Sequence, residues 1–203
     1  MNSKTFKTSR LVYGRGDKSW HSPETCVWAK DNIKLPNKLS IASTYAKQET
    51  FFTIILGVPV PTAEMHVRAL IDITAKDPDK DRILLELKNI CAFLPLSEHL
   101  YLKLRSCACF PVREPSGQIV WQSSKDEFAI ADRKEYGVTF RDKLNILDLS
   151  LEEVHSVDSL LKKLDLKKRY MSLTVTEGTS ALDGDSDGKL SRDLQRKSWA
   201  ICR

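Results

Sequence analysis

The residues with the clearest chemical spacing lie near the C-terminal end, in Asp183-Gly184-Asp185-Ser186-Asp187-Gly188-Lys189-Leu190-Ser191. They place oxygens at loop positions 1, 3, 5 and 9, with glycine at 6 and an aliphatic side chain at 8, the pattern with which an EF-hand loop wraps a calcium ion. Asp183, Asp185, Asp187 and Ser191 are therefore the candidate metal ligands. Two parts of the pattern are missing. Position 12, which should supply a bidentate Glu, is Leu194, with Asp193 one residue early, and residues 174–182 lack the amphipathic helix that should enter such a loop. The preferred reading is an acidic linker, and a calcium-binding module is the alternative.

No other stretch assembles a reaction. His21, His66, His99 and His155 are scattered, and Cys26, Cys91, Cys107, Cys109 and Cys202 include no C-x-x-C pair, so a zinc site would need ligands from distant segments. Cys107 and Cys109 alternate as strand neighbours do and point the same way. The Arg15-Gly16-Asp17 tripeptide is too short to carry weight, and Tyr13-Gly14-Arg15-Gly16 follows no strand and is no phosphate cradle. Phosphate-loop, dinucleotide, zinc-protease and nucleophile-elbow motifs are all missing from the chain. The sequence therefore names no catalytic residue and no cofactor.

Any site must be held by an ordinary globular body, given 41% hydrophobic and 29% charged residues. The net charge of +5 is not spread over it: residues 1–20 and 189–203 each carry +4, which leaves −3 for the middle. Basic ends without interleaved aromatics attract polyanions weakly and read no sequence, which argues against a specific nucleic-acid partner. No apolar run approaches the roughly eighteen residues of a membrane span, and the first twenty residues are no secretory signal. The expected location is cytoplasmic, with the nucleus second.

Hydrophobic spacing predicts an α+β fold: an antiparallel helix pair, a small mixed sheet with a hairpin, and a C-terminal helical segment. Ile83, Leu84, Leu87, Ile90, Cys91 and Leu94 form one helical stripe, with Asp77 as cap and Pro78 in the first turn. Val67, Leu70, Ile71 and Thr74 form its partner's stripe over 63–75, capped by Thr62. Upstream, 25–28 reads as a short extended piece with Val27 inward, and Trp20 and Trp28 as packing anchors. Residues 48–56 read as a helix burying Phe51, Phe52, Ile55 and Leu56, ended by a left-handed Gly57. A short helix over 97–104 carries His99 as a surface or half-buried residue and not as a ligand. Downstream, 107–113 and 118–122 make a hairpin around Pro115-Ser116-Gly117, 128–130 and 144–147 are short strands, and Asp132 caps a helix of about two turns. Ser150 and Glu153 form a capping box for a helix whose buried face is Val154, Val157, Leu160, Leu161 and Leu164. Residues 170–175 end the body as a short helix or turn. The implied organisation is a basic disordered tail over 1–18, one domain over 19–175, a flexible acidic linker over 176–188, and the start of a truncated basic helix over 189–203.

Ser19-Trp20-His21-Ser22-Pro23, Cys26-Val27-Trp28, Phe51-Phe52, Leu56-Gly57-Val58, Phe110-Pro111-Val112-Arg113 and Phe128-Ala129-Ile130-Ala131-Asp132-Arg133 occur in a recognisable order, completed by residues 164–172. In that order they resemble an inner region of very large fungal proteins whose N-terminal domain has the GHKL-type ATPase fold of sacsin, plant NO VEIN and the ninety-kilodalton heat-shock chaperones. The likeness spans residues 19–203. Family members hold nucleotide with an acidic-x-x-x-Asn helix, an Asp-x-Gly turn and a glycine-rich lid upstream of this region, so the resemblance transfers no ATP-binding residue. It marks the chain, ending at Arg203 within a further helix, as a fragment or truncated paralogue. It implies a non-catalytic protein-interaction or chaperone-scaffold module whose partner is a protein, a full-length relative among the candidates. An accessory protein of a fungal specialised pathway is a further alternative that rests on no residue.

Overall fold

Two capped helices set the frame. In the computed structural model, which describes residues 8–30 and 35–175, α1 spans Ala63–Lys76, and the Thr62 side chain accepts from the Met65 N–H at 3.3 Å. The next helix, α2, spans Lys80–Cys91 and is capped two residues later than the sequence suggests: Asp79, not Asp77, accepts from the Arg82 N–H at 2.9 Å. Asp77 is already engaged as the C-cap of α1, its backbone N–H donating to the Ile73 carbonyl at 3.1 Å. Asp79 is the acid that caps α2.

The two helices pack antiparallel and share most of their apolar faces. Val67, Leu70 and Ile73 of α1 meet Ile83, Leu84, Leu87 and Ile90 of α2 in the main core. The α1 stripe is rotated from the expected one, since Ile71 and Thr74 are half-buried while His66, Ala69 and Ile73 are buried. Helix α3, Glu98–Ser106, adds Leu100, Tyr101 and Leu104 to the same core, and His99 is exposed on it, the outer of the two placements expected.

A three-stranded sheet closes the other side, in the order β6-β5-β7, with β5 at Phe110–Arg113, β6 at Ile119–Gln122 and β7 at Ile146–Leu147. The β5–β6 register, Phe110 opposite Gln122 and Arg113 opposite Ile119, is set by the turn. Pro115 pre-sets the backbone at the second turn position, and Gly117 takes φ 87°, where a side chain would be strained. Ala129 extends the sheet as a parallel bridge to Ile146, and Ile130 bridges Tyr170, so 128–130 is a pair of bridges and not the strand its apolar run suggests.

Helix α4, Lys134–Thr139, follows an extended Arg133. Asp132 does not cap it. Its carboxylate accepts instead from the Ser172 backbone N–H at 3.0 Å and from the Ser172 hydroxyl, because backbone pairing at 130 and 170 brings those segments side by side. Helix α5, Leu151–Lys163, opens with the predicted capping box and buries Val154, Val157, Leu160 and Leu161, with Leu164 beyond its end also in the core. A 3₁₀ turn at Leu166–Arg169 and the short α6, Met171–Thr174, complete the described chain. No helix among the described residues is long and apolar enough to cross a membrane.

The N-terminal part forms a second core. Strands β1, Val12–Gly14, and β2, Ser19–His21, pair antiparallel, while β3, Cys26–Val27, pairs in parallel with β4, Leu39–Ser40. Val12 is fully buried with Cys26, Trp28, Ile41, Phe52, Leu56 and Val58. The expected tail over 1–18 therefore fails from β1 onward, because Val12 has a hydrophobic seat. Residues 1–7, 176–188 and 189–203, where the remaining tail, linker and helix readings fall, lie outside the described residues. Trp28 is the anchor its size suggests, stacked on Phe52 at 5.8 Å between centroids. Trp20 is not, being 58% exposed at the edge of its hairpin.

Candidate functional site

Three polar constellations draw reactive residue types together. At the β1–β2 hairpin, Asp17, Ser19 and His21 bring a carboxylate, a hydroxyl and an imidazole into mutual contact. His21 Nε2 lies 2.8 Å from Ser19 Oγ and 2.7 Å from Asp17 Oδ2, and Ser19 Oγ donates to Asp17 Oδ2 at 2.8 Å. A nucleophile relay needs the acid on one ring nitrogen and the hydroxyl on the other, so that the imidazole passes a proton between them. Here one nitrogen touches both partners, so no relay forms. The Ser19 hydroxyl, followed by the Ser19 backbone N–H and His21, outweighs slight burial and holds the Asp17 carboxyl below its usual range. Gly14 leaves room for the cluster, since a Cβ there would stand 2.4 Å from Asp17 Oδ1 and 3.0 Å from His21 Nε2. This is a polar clasp on a hairpin.

The second constellation is buried between the first two helices. His66 Nδ1 and Glu86 Oε2 are 2.7 Å apart, with side chains 1% and 3% exposed, and Phe93 tilts against the imidazole at 5.6 Å. Two ionisable groups out of water need each other's hydrogen bond, because an unpaired buried carboxylate is costly. No described segment presents a nucleophile or a second acid to this pair, and among the described residues no group of three His, Cys, Asp or Glu could hold a metal. The sequence reading missed the pair, yet its signal was there. His66 falls at i−4 from Leu70 and Glu86 at i+3 from Ile83, so each is a polar residue on the apolar face of one helix in an antiparallel pair.

The third lies where α3 leads into β5, where Cys107 and Cys109 stand two residues apart in the core and Thr74 of α1 faces Cys107 with Oγ1 3.3 Å from Sγ. The neighbouring Cys109 thiol, aided by Thr74, outweighs burial and draws the Cys107 thiol below its ordinary range, while the Cys107 thiol and full burial push Cys109 well above it.

The cavities do not gather these groups. One, of about 480 Å³, is an open groove between Phe128, Leu144 and Arg169. Arg169 is spent structurally: it lies over the Phe128 ring at 4.6 Å and donates to the Ser124 carbonyl at 2.8 Å and to the Asp126 carbonyl. A second groove of about 360 Å³ runs between Pro36 and the Met65, Arg68 and Asp72 side of α1. The sequence-predicted metal ligands Asp183, Asp185, Asp187 and Ser191 lie outside the described residues.

What most distinguishes the surface is apolar. Residues Phe51–Ile55 form a π-helical turn in which the Leu56 N–H reaches the Phe51 carbonyl at 3.0 Å, and Gly57 ends it at φ 69°, the left-handed cap expected there. Phe52 and Leu56 point into the second core, as expected. Phe51 and Ile55 do not: with Ile54 they stand 49%, 68% and 73% exposed. The wide turn has only one inward side, and two residues fill it.

Fold and contacts together define a small α+β module built on a helix pair packed against a three-stranded sheet. Residues 64–175, more than half of the chain and the part that holds the main core, match the family model described as "Domain of unknown function (DUF8348)", and the chain belongs to that family. No curated protein and no solved structure matches the chain.

Proposed function

We propose that this chain is a non-catalytic protein-interaction module of the cytoplasm, related to the region that follows the ATPase domain in sacsin-like and NO VEIN-like proteins. The observation that carries the reading is the outward face of the π-helical turn. Phe51, Ile54 and Ile55 hold three large apolar side chains in water on one short element, an arrangement that marks contact surfaces. Covering them with a partner's apolar side chains would contribute about 1.5–3 kcal/mol each before ordering costs. The partner's matching chemistry is an apolar protein surface, first of all one on a full-length relative. The Asp17–Ser19–His21 and His66–Glu86 constellations support the same reading, since each is closed upon itself by its own hydrogen bonds.

The test is a paired substitution, Ile54→Asp with Ile55→Asp. Both positions are exposed, so stability should change by no more than about 0.5 kcal/mol per site. Binding of the purified chain to the full-length relative, followed by surface-immobilised association, should weaken by roughly a hundredfold for the doubly substituted form. Equal association of native and substituted chains, or a native chain that stays monomeric and binds no relative, would count against the module.

A further inference from the structure

The β1–β2 hairpin presents two aromatic rings on one side. Residues directly opposite each other in an antiparallel pair share a face, and neighbours along a strand alternate between faces. Tyr13 stands opposite Trp20, Val12 opposite His21 and Gly14 opposite Ser19, so the rings occupy one face and Val12, Gly14, Ser19 and His21 the other. The second face is the packed one, since Val12 is fully buried and a Cβ on Gly14 would meet Leu39 at 3.0 Å. Asp17, the one acid in residues 10–21, lies there too, 2.4 Å from that same Cβ position and bonded to Ser19 and His21. Its charge is turned away from the rings.

The aromatic face is open and held still. Trp20 is 58% exposed, with Tyr13 tilted against it at 5.4 Å between centroids. The Tyr13 N–H donates to the Tyr45 hydroxyl at 3.1 Å, and that hydroxyl donates to the Tyr13 carbonyl at 3.0 Å. Cations bracket the pair, Arg15 and Lys18 where the strands meet the turn and Arg10 ahead of β1, all three exposed. Among the described residues none of the three has a carboxylate partner. At about 3.3 Å per residue, Arg10 and Arg15 stand about 10 and 7 Å from Tyr13 along the chain, one on each side. A count of charges over residues 1–20 contains these cations without showing that the fold sets two rings between them.

We propose that the β1–β2 hairpin binds single-stranded nucleic acid without sequence preference, with Trp20 stacked on a base and Arg10, Arg15 and Lys18 on the phosphates beside it. Every base has a π-face, and an exposed ring flanked by cations takes that face without reading the base edge. A duplex offers the same cations its phosphates but keeps its bases stacked on one another, so Trp20 favours the single strand. An anionic bilayer would also attract the cations. Among its described residues, however, the hairpin exposes only Leu11 and Trp20 as large apolar side chains, far short of the apolar face with which a surface helix seats itself in the headgroup boundary. Phe51, Ile54 and Ile55 take no part, so this site and the module's apolar contact can fail separately.

The full chain, titrated into a fluorescein-labelled oligothymidylate over a range of sodium chloride concentrations, reports binding by fluorescence anisotropy. Trp20→Leu keeps an apolar side chain at an exposed position and should weaken binding roughly tenfold while leaving the salt dependence unchanged. Arg10→Gln, Arg15→Gln and Lys18→Gln combined should lower the slope of log affinity against log salt by about 2, at roughly 0.7 per phosphate of a single strand. A duplex of equal length should bind the native chain more weakly and be indifferent to Trp20→Leu. Circular dichroism that matches the native spectrum keeps these effects apart from unfolding. Equal affinity of native and Trp20→Leu chains, or a native chain that leaves the oligomer unbound, would overturn the stacking site. An unmoved salt slope in the combined variant would overturn the part assigned to the three cations. Binding to phosphatidylserine vesicles that depends on Trp20, without binding to the oligomer, would overturn the nucleic acid in favour of a membrane surface.

Discussion

His66 and Glu86 show how much one side chain can cost when its partner is taken away. His66→Ala would leave the Glu86 carboxylate 3% exposed with its imidazole gone, and chemical denaturation should record a loss of about 3–5 kcal/mol. Glu86→Gln keeps an acceptor facing the ring and should lose less, about 1–2 kcal/mol. A larger loss for the amide than for the alanine would mean that the pair is not what holds these two helices in register. At the same scale, the acidic run 183–194 should give no binding heat when millimolar calcium is titrated into the purified chain. Leu194 offers no oxygen where the bidentate ligand is needed, and measurable heat saturating at one ion per chain would reverse that reading. Residue identities made the second expectation legible. The first was hidden because a histidine and a glutamate on apolar stripes say they are buried without saying that they meet.

Among the elements, α5 is where local sequence speaks most plainly. Ser150 accepts from the Glu153 N–H at 3.2 Å and Glu153 accepts from the Ser150 N–H at 2.7 Å, and the buried face follows the 3.6-residue period throughout. Ser150→Ala should cost about 1 kcal/mol in urea denaturation. Partial burial raises the Glu153 carboxyl, but the Ser150 N–H and the Lys80 ammonium, 3.5 Å away, outweigh it and hold the group below its ordinary value. A depressed folded value means that the contribution is present above the unfolded value near pH 4.3 and is lost as pH falls through the folded one. Glu153→Gln should therefore flatten the acid limb of a stability–pH curve and leave its alkaline limb unmoved. Elements fixed by contacts far along the chain were less legible. Asp132 has the composition of a cap and serves a backbone forty residues away, and the inward side of the π-helical turn depends on a register that no 3.6-residue template contains.

At the level of the whole molecule, the main core draws all of its residues from the second, larger part of the chain, the part the family model covers. A piece comprising residues 62–175 retains the Thr62 cap and that entire core. It should fold cooperatively, with helical circular dichroism and a single denaturation transition. A broad transition or dispersed aggregation would mean that the N-terminal core is required to complete it. The α+β layout could be read from the spacing of apolar residues, whereas the division into two cores could not, because Gly57, Pro59 and Pro61 mark the end of one element without saying that the elements on either side pack into separate cores. Between the cores, Val27, Ala29 and Leu35 press on Ala69, with Met65 alongside, so α1 turns one side to each. Amide protons along the middle of α1 can meet deuterated water only after both neighbours have lifted away. In hydrogen exchange that helix should be the last to label, slower than α2, which answers to one body alone.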